Sequence, residues 1–310
     1  MQLLNESTVL PEEIDSLGHM NVRHYMARME RANQNLLEQL GMDDAVLLTC
    51  FLRRTDTYTR FRREQFEGAT LHTLGGILTL SADGMRSYIE IQNPNTQDVA
   101  ATFIVTTTLI DQISRTTRQL KSPSGAEVQT VDIPTFAQPR SLSLDKPATE
   151  VSLELLEQQI PDVEGGGMMS GKRQITVEDD DVDADGWLRE DIELMFLPFA
   201  KLAQQGEMPQ GPPVFQSESG QRVGWAVMES RTQSFAQPHL GDRLAYFSAD
   251  LGVQDKTRVS RRWAFNKHTG AMLGISDTVG VCIDLDARRA ISWPSELREQ
   301  IERYQRPELA

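Results

Sequence analysis

The sequence predicts an α+β chain in which one helix-and-sheet unit occurs twice in tandem, and three observations predict it. The first is the stretch from Asp15 to Ala32, which ends an extended segment, turns through Gly18 and enters a helix with one apolar face. The second is the series of Thr-, Ile-, Val- and Leu-rich segments behind it, separated by turn residues. The third is recurrence. Gly68, Leu71 and Asn93 are matched 173 residues later by Gly241, Leu244 and Asn266, and Asp15 and Gly18 are matched 168 residues later by Asp183 and Gly186.

In chain order, Leu3 to Val9 reads as a short strand that Pro11 ends. Val22, Tyr25, Met26, Met29, Ala32, Leu36, Leu37 and Leu40 then fall on one helical face, with Arg23, Arg28, Arg31, Gln34 and Glu38 on the other. Asn21 suits the N-cap and Gly41 the position just past the C-terminus. Strands follow over Val46 to Phe51, Arg54 to Arg62 (Thr55, Thr57, Thr59 and Phe61 on one face), Gly68 to Leu80, Met85 to Gln92 and Ala100 to Ile110. Ala82-Asp83-Gly84 and Asn93-Pro94-Asn95 supply turns. The stretch 118–172 is rich in Pro, Gly, Ser and charge, including Gly165-Gly166-Gly167, and is too long for a loop inside one compact domain. It divides the chain into a first domain at 1–117, a linker at 118–172 with a short helix near Glu150 to Gln159, and a second domain at 173–310.

Composition bounds the function. Of 310 residues, 39% are hydrophobic and 25% charged, and the net charge of −14 argues against nucleic acid or an anionic membrane surface as partner. No apolar run is long enough to span a bilayer. Met1 to Glu6 lacks the features of a signal peptide, which predicts a cytoplasmic protein. Cys50 and Cys282 sit in apolar contexts and read as buried free thiols; nothing supports a disulfide.

The motif Asp15-x-x-Gly18-His19-x-Asn21-x-x-x-Tyr25, with Glu30 and Ala32 behind it, resembles that of hotdog-fold thioesterases of the 4-hydroxybenzoyl-CoA thioesterase type. The resemblance implies a long helix wrapped by an antiparallel sheet and hydrolysis of acyl thioesters; the recurrence makes two such domains in tandem, and no metal or organic cofactor is expected. By the same resemblance Asp15 is the catalytic carboxylate, as base or nucleophile, at a helix N-terminus whose dipole attracts negative charge. His19 orients water or transfers a proton, since histidine titrates near neutrality. Asn21 either holds that water or His19, or only caps the helix. Backbone N–H groups from Gly18 to Met20 are the oxyanion candidates. Tyr25 is expected to contact substrate, and Arg62 and Arg63, from the group Arg53, Arg54, Arg60, Arg62 and Arg63, to hold the phosphates of coenzyme A or simply to form an exposed strand face. Plant acyl-carrier-protein thioesterases are similar double hotdogs, but they carry the motif in the second hotdog and have Asn where Leu17 stands here.

The second copy has lost the helpers: Trp187 replaces His19, Arg189 replaces Asn21 and Glu193 replaces Tyr25, while Asp183 remains. Pro198 within the expected helix predicts a kink. Ile192, Phe196 and Phe199 are expected in the core, leaving Trp187 and Leu188 at the helix entrance, where Trp187 fills the vestigial pocket or lines the acyl tunnel. Asp181-x-Asp183-x-Asp185-Gly186 opens like an EF-hand loop, but Ile192 occupies the twelfth position, which requires Glu, so a solvated acidic turn is the better reading. The expectation is therefore a thioester hydrolase acting on acyl-CoA from one working site, a pseudo-dimer within one chain that leaves room for further self-association. The alternatives are an acyl-carrier-protein thioesterase, against which the acidic composition speaks, and a silent acyl-thioester binding protein, against which the intact Asp15/His19/Asn21 set speaks.

Overall fold

A computed structural model of the chain describes residues 1–15, 17–39, 48–120, 130–145, 151–162, 171–189, 192–204, 214–217 and 220–310. Gly41, the start of the strand expected at Val46, and Gly165 to Gly167 lie outside the described residues. Two compact units are present, Met1–Arg140 and Ser141–Ala310.

The first unit contains β1 (Gln2–Thr8), α1 (Val22–Gln39), β2 (Cys50–Phe61), β3 (Thr70–Ser81), β4 (Gly84–Asn93), β5 (Asp98–Asp111) and β6 (Thr117–Arg118). Its strands pair antiparallel in the order β1-β3-β4-β5-β2, with β6 added to β5. The apolar stripe of α1 packs on one face of this sheet: Tyr25, Met29, Ala32, Leu36 and Leu37 join Leu52, Ile77, Met85, Ile89, Phe103 and Leu109 in one buried cluster. Full burial is worth about 1.5–3 kcal/mol for each Met, Leu or Ile, more than helix propensity supplies, so the sheet holds the helix in place. Asn21 caps α1 as expected, its Oδ1 accepting the Arg23 N–H at 3.1 Å. Arg28, expected on the polar face, is instead buried. Its guanidinium grips Glu13 at 2.9 and 2.8 Å and reaches Ser7 Oγ and the Thr8 carbonyl.

β2 is one continuous strand, with a bulge between Arg54 and Asp56 that shifts its register. Leu52 before the bulge and Phe61 after it both belong to the core beside α1, although their spacing in an unbroken strand would put them on opposite faces. Arg54 is drawn to the same side, where its Nε meets Glu30 of α1 at 2.6 Å.

The second unit contains α2 (Leu153–Gln159), β7 (Gly171–Thr176), α3 (Leu197–Gln204), β8 (Phe215–Gln216), β9 (Arg222–Ser234), β10 (Arg243–Val253), β11 (Thr257–Asn266), β12 (Met272–Asp284), β13 (Arg289–Ala290) and α4 (Ser295–Tyr304). Its sheet runs β9-β12-β11-β10-β7, again antiparallel. Leu153 and Leu156 of α2 pack with Phe247, Trp263 and Phe265, whereas Leu194, Met195 and Leu197 pack with Leu188, Leu244, Tyr246 and Ala264. Neighbouring positions along each strand therefore feed different clusters, as the two faces of a pleated sheet require. Pro198 does not kink a helix. It is the second residue of α3, where its missing N–H leaves no intrahelical bond unmade. The core is filled from the short 3-10 turn Leu194–Phe196, and Phe196, expected inside, is 42% exposed.

The repeat holds at the level of single hydrogen bonds. Asp15 N–H donates to the His19 carbonyl and Gly18 N–H to the Asp15 carbonyl; Asp183 and Trp187, and Gly186 and Asp183, make the same two bonds. Gly18 and Gly186 have φ of 81° and 82°, and Gly68 and Gly241 have 79° and 82°, a left-handed conformation that favours glycine. Asn93 and Asn266 each accept two backbone N–H groups of the turn that follows them.

Candidate active site

The entrance to α1 is built by a short backbone loop. Residues 11–13 form a 3-10 turn, Ile14 and Met20 make an antiparallel bridge, and Gly18 closes the tip between them. Glu13 fixes this loop to the helix: its carbonyl accepts the Asn21 N–H at 2.9 Å while its carboxylate is held by Arg28. Burial alone would raise the Glu13 pKa, but the hydrogen bonds from Arg28 and the Leu10 N–H and the Arg28 charge outweigh it, so the carboxyl sits below its ordinary value.

Asp15, His19 and Asn21 meet inside this loop. The Asp15 side chain is 6% exposed; its Oδ1 accepts the Leu17 N–H at 2.9 Å, and its Oδ2 lies 3.4 Å from Asn21 Nδ2 and 3.8 Å from His19 Nδ1. The far side of the ring faces a second carboxylate, with His19 Nε2 3.5 Å from Glu64 Oε1. A histidine thus stands between two acids, one shielded and one 35% exposed. Asn21 does two things at once, capping α1 with its oxygen and facing Asp15 with its amide.

The oxyanion candidates narrow to one. Gly18 N–H is used by the Asp15 carbonyl and Met20 N–H by the Gln65 carbonyl at 2.8 Å, while the His19 N–H makes no hydrogen bond among the described residues. Met20 itself is a core residue, 1% exposed. Tyr25 is also buried. Its ring stands edge-on to Phe61, its hydroxyl donates to the Arg63 carbonyl at 3.3 Å, and burial pushes the phenol well above its ordinary pKa. Met20 and Tyr25 therefore brace the loop from beneath. His24 is held below its usual pKa, first by burial and then by the Arg23 charge, and its Nε2 accepts from Arg23 Nε.

The arginine group disperses. Arg60 and Arg62 both donate to the Phe136 carbonyl, at 2.7 and 3.0 Å, and Arg62 lies over the Phe136 ring. Arg63 is different: its side chain is 68% exposed, paired with Asp98 only at 3.7 Å, and adjoins Glu64.

Glu64 carries no local signal in the sequence. It lies in the loop after β2, and long-range bonds on either side of it, from Met20 N–H to the Gln65 carbonyl and from the Tyr25 hydroxyl to the Arg63 carbonyl, bring it against His19. In the second unit, Trp187 is half-buried and edge-on to His239, with ring centroids 5.0 Å apart, and Leu188 belongs to the core rather than to an open entrance. In the acidic turn Asp181 is tied to Lys201 at 2.7 Å and Asp183 turns back onto the N–H groups of Asp185 and Trp187.

Residues 9–141 match the family model of the thioesterase-like superfamily. That match spans nearly all of the first unit. Over the whole chain the fold is similar to an acyl-ACP thioesterase from Bacteroides thetaiotaomicron, at 10% identity and TM-score 0.59, covering 89% of this chain and 96% of that one. It is also similar to the 12:0-ACP thioesterase from Umbellularia californica, at 10% identity and TM-score 0.61, covering 90% and 93%. At this identity the likeness carries the fold alone, a tandem hotdog. No curated protein matches the sequence. No described helix is long and apolar enough to cross a membrane.

Proposed function

We propose that the protein hydrolyses acyl-CoA thioesters and that Asp15 is the carboxylate on which hydrolysis depends. The observation that carries this reading is the shielded Asp15 carboxylate beside His19 at the entrance of α1, within the stretch that matches the thioesterase-like superfamily. Asp15 takes a proton from water, and the resulting hydroxide adds to the thioester carbonyl. The developing oxyanion is met by the His19 N–H at the positive end of the helix. The tetrahedral intermediate then expels the thiolate, and the proton is returned through His19, with Glu64 on its far side holding the ring. The exposed Arg63 next to Glu64 supplies a cation for a phosphate of coenzyme A. The net charge of −14 supports coenzyme A over an acidic carrier protein as the thiol half of the substrate.

The test is free-thiol release from a series of acyl-CoAs and from the matching acyl-carrier-protein thioesters, by wild type and by Asp15→Asn. Hydrolysis of acyl-CoA that Asp15→Asn abolishes supports the reading. Faster turnover of the carrier-protein series would reassign the substrate, and full activity of the variant would remove Asp15 from the chemistry. A single turnover in ¹⁸O-water tests for a nucleophile: an unlabelled product acid with the label in Asp15 itself requires an acyl–Asp15 anhydride opened by water at the Asp15 carbonyl.

A further inference from the structure

The two copies differ in the part of the sheet that lies under α1 in the first unit. In the first unit a row of paired residues crosses the strands as Thr59, Phe103, Ile89 and Gly75. In the second unit the matching row is Thr232, Ser276, Arg262 and Ser248. Two further core positions of the first unit, Ile77 and Met85, are Asp250 and Arg258 in the second. The first unit shows that apolar side chains suit these positions, so the buried Asp250 and Arg258 and the half-buried Arg262 are a cost that packing does not require. Burying an ion costs several kcal/mol unless something offsets it.

For two of the three charges the offset is visible. Asp250, 0% exposed, faces Arg258 at 3.4 Å, and Arg258 lies over the rings of Trp225 and Trp293. Arg262 has no such acid. Its guanidinium lies over the rings of Phe199 at 4.7 Å and Phe196 at 5.6 Å, and it makes no hydrogen bond or ion pair among the described residues. Burial, and then the charge of Arg258, push its pKa down to about 10, against the smaller opposing effect of Asp250. The cluster therefore holds one positive charge in excess, displayed between two phenyl rings, with the hydroxyl-bearing Ser248 and Ser276 paired on either side.

We infer that Arg262 is the anchor of a binding site in the second unit for a monocarboxylate with an apolar body. A carboxylate matches the planar donor fork of Arg262 and neutralises its single excess charge; beside it Ser248 Oγ donates to the Gly171 carbonyl and Ser276 Oγ is bonded to Thr232 Oγ1, so the guanidinium carries the recognition. Phe196 and Phe199 supply the wall for the apolar part, and Phe196 is 42% exposed, leaving an approach from solvent. This is the chemical class of a fatty acid, which thioester hydrolysis would release. The site nevertheless uses none of the Asp15 group and is read by binding, so it stands or falls separately from the proposed activity.

The experiment is calorimetric and tryptophan-fluorescence titration of the full chain with decanoate, decanol and inorganic phosphate. Wild type is expected to bind decanoate in preference to both controls. Arg262→Met should weaken decanoate binding at least about tenfold, the loss expected for a charge-assisted contact. Arg262→Lys should weaken it less, and Asp15→Asn should leave it unchanged. Thermal melts establish that each variant is folded, with Arg262→Lys carrying the comparison if Arg262→Met is not. Failure of wild type to bind decanoate, undiminished binding by folded Arg262→Met and Arg262→Lys, or tighter binding of phosphate or decanol would each overturn the assignment.

Discussion

Asp183 Oδ1 accepts the Trp187 N–H at 3.0 Å, whereas the equivalent His19 N–H in the first unit makes no such bond to Asp15. The same backbone loop is used differently in the two copies. In the second unit the carboxylate is spent on holding its own turn, bonded to both Asp185 and Trp187. In the first unit the donor stays open and the carboxylate faces a histidine. Asp15→Asn should accordingly lower turnover by about 10²–10⁴-fold with the melting temperature nearly unchanged. Asp183→Asn should do the reverse, lowering the melting temperature while sparing turnover. Parallel thiol-release assays and melts check both, and equal catalytic losses would mean that both carboxylates work.

Glu64 gives a second prediction. It meets His19 Nε2 at 3.5 Å but is more exposed than Asp15, so its field on the ring is more strongly screened. Glu64→Gln should reduce kcat less than Asp15→Asn does, with KM little changed, because the carboxylate acts on His19 rather than on substrate. A change in KM alone would show that Glu64 touches the substrate instead.

The anchor beneath the loop should make stability depend on acid. Glu13 has its pKa held below the ordinary 4.5 by Arg28, despite the opposing effect of burial. A depressed folded-state pKa contributes stability that is present above about pH 4.5 and lost as pH falls through the folded value. Glu13→Gln should therefore lower the melting temperature at neutral pH and flatten its decline below pH 4.5. A decline as steep as in wild type would place the acid-sensitive group elsewhere.

Much of this arrangement was legible in the sequence because it is local. The stripe from Tyr25 to Leu37, the Asn21 cap, the turn glycines and the recurrence at Gly241 all depend on near neighbours. What escaped is of two kinds, local departures from regular geometry and contacts between residues far apart in the chain. The bulge after Arg54 hides in an otherwise regular alternation and swaps which side chains face α1. Phe196 shows helical spacing with Ile192 and Phe199, yet the segment enters as a 3-10 turn, so Leu194 and Met195 take the core and Phe196 meets solvent and Arg262. Arg62 reads as part of a basic cluster until Phe136, 74 residues later, is found accepting its hydrogen bond.

That last contact separates two arginines that are neighbours in sequence. Arg62 is committed to the Phe136 carbonyl and ring, together with Arg60, and its removal should loosen the 134–138 segment. Arg62→Ala should speed hydrogen exchange there and lower the melting temperature, with little effect on KM. Among the described residues, the Arg63 side chain instead has only a long exposed ion pair with Asp98, of a kind worth about 0–1 kcal/mol. Arg63→Ala should leave the melting temperature alone and raise KM for acyl-CoA by up to about fivefold, the range an exposed charge spans. The increase should shrink at high salt, where ions screen the same attraction. A KM effect confined to Arg62→Ala would reverse the two roles and make the Phe136 strap a part of the substrate site.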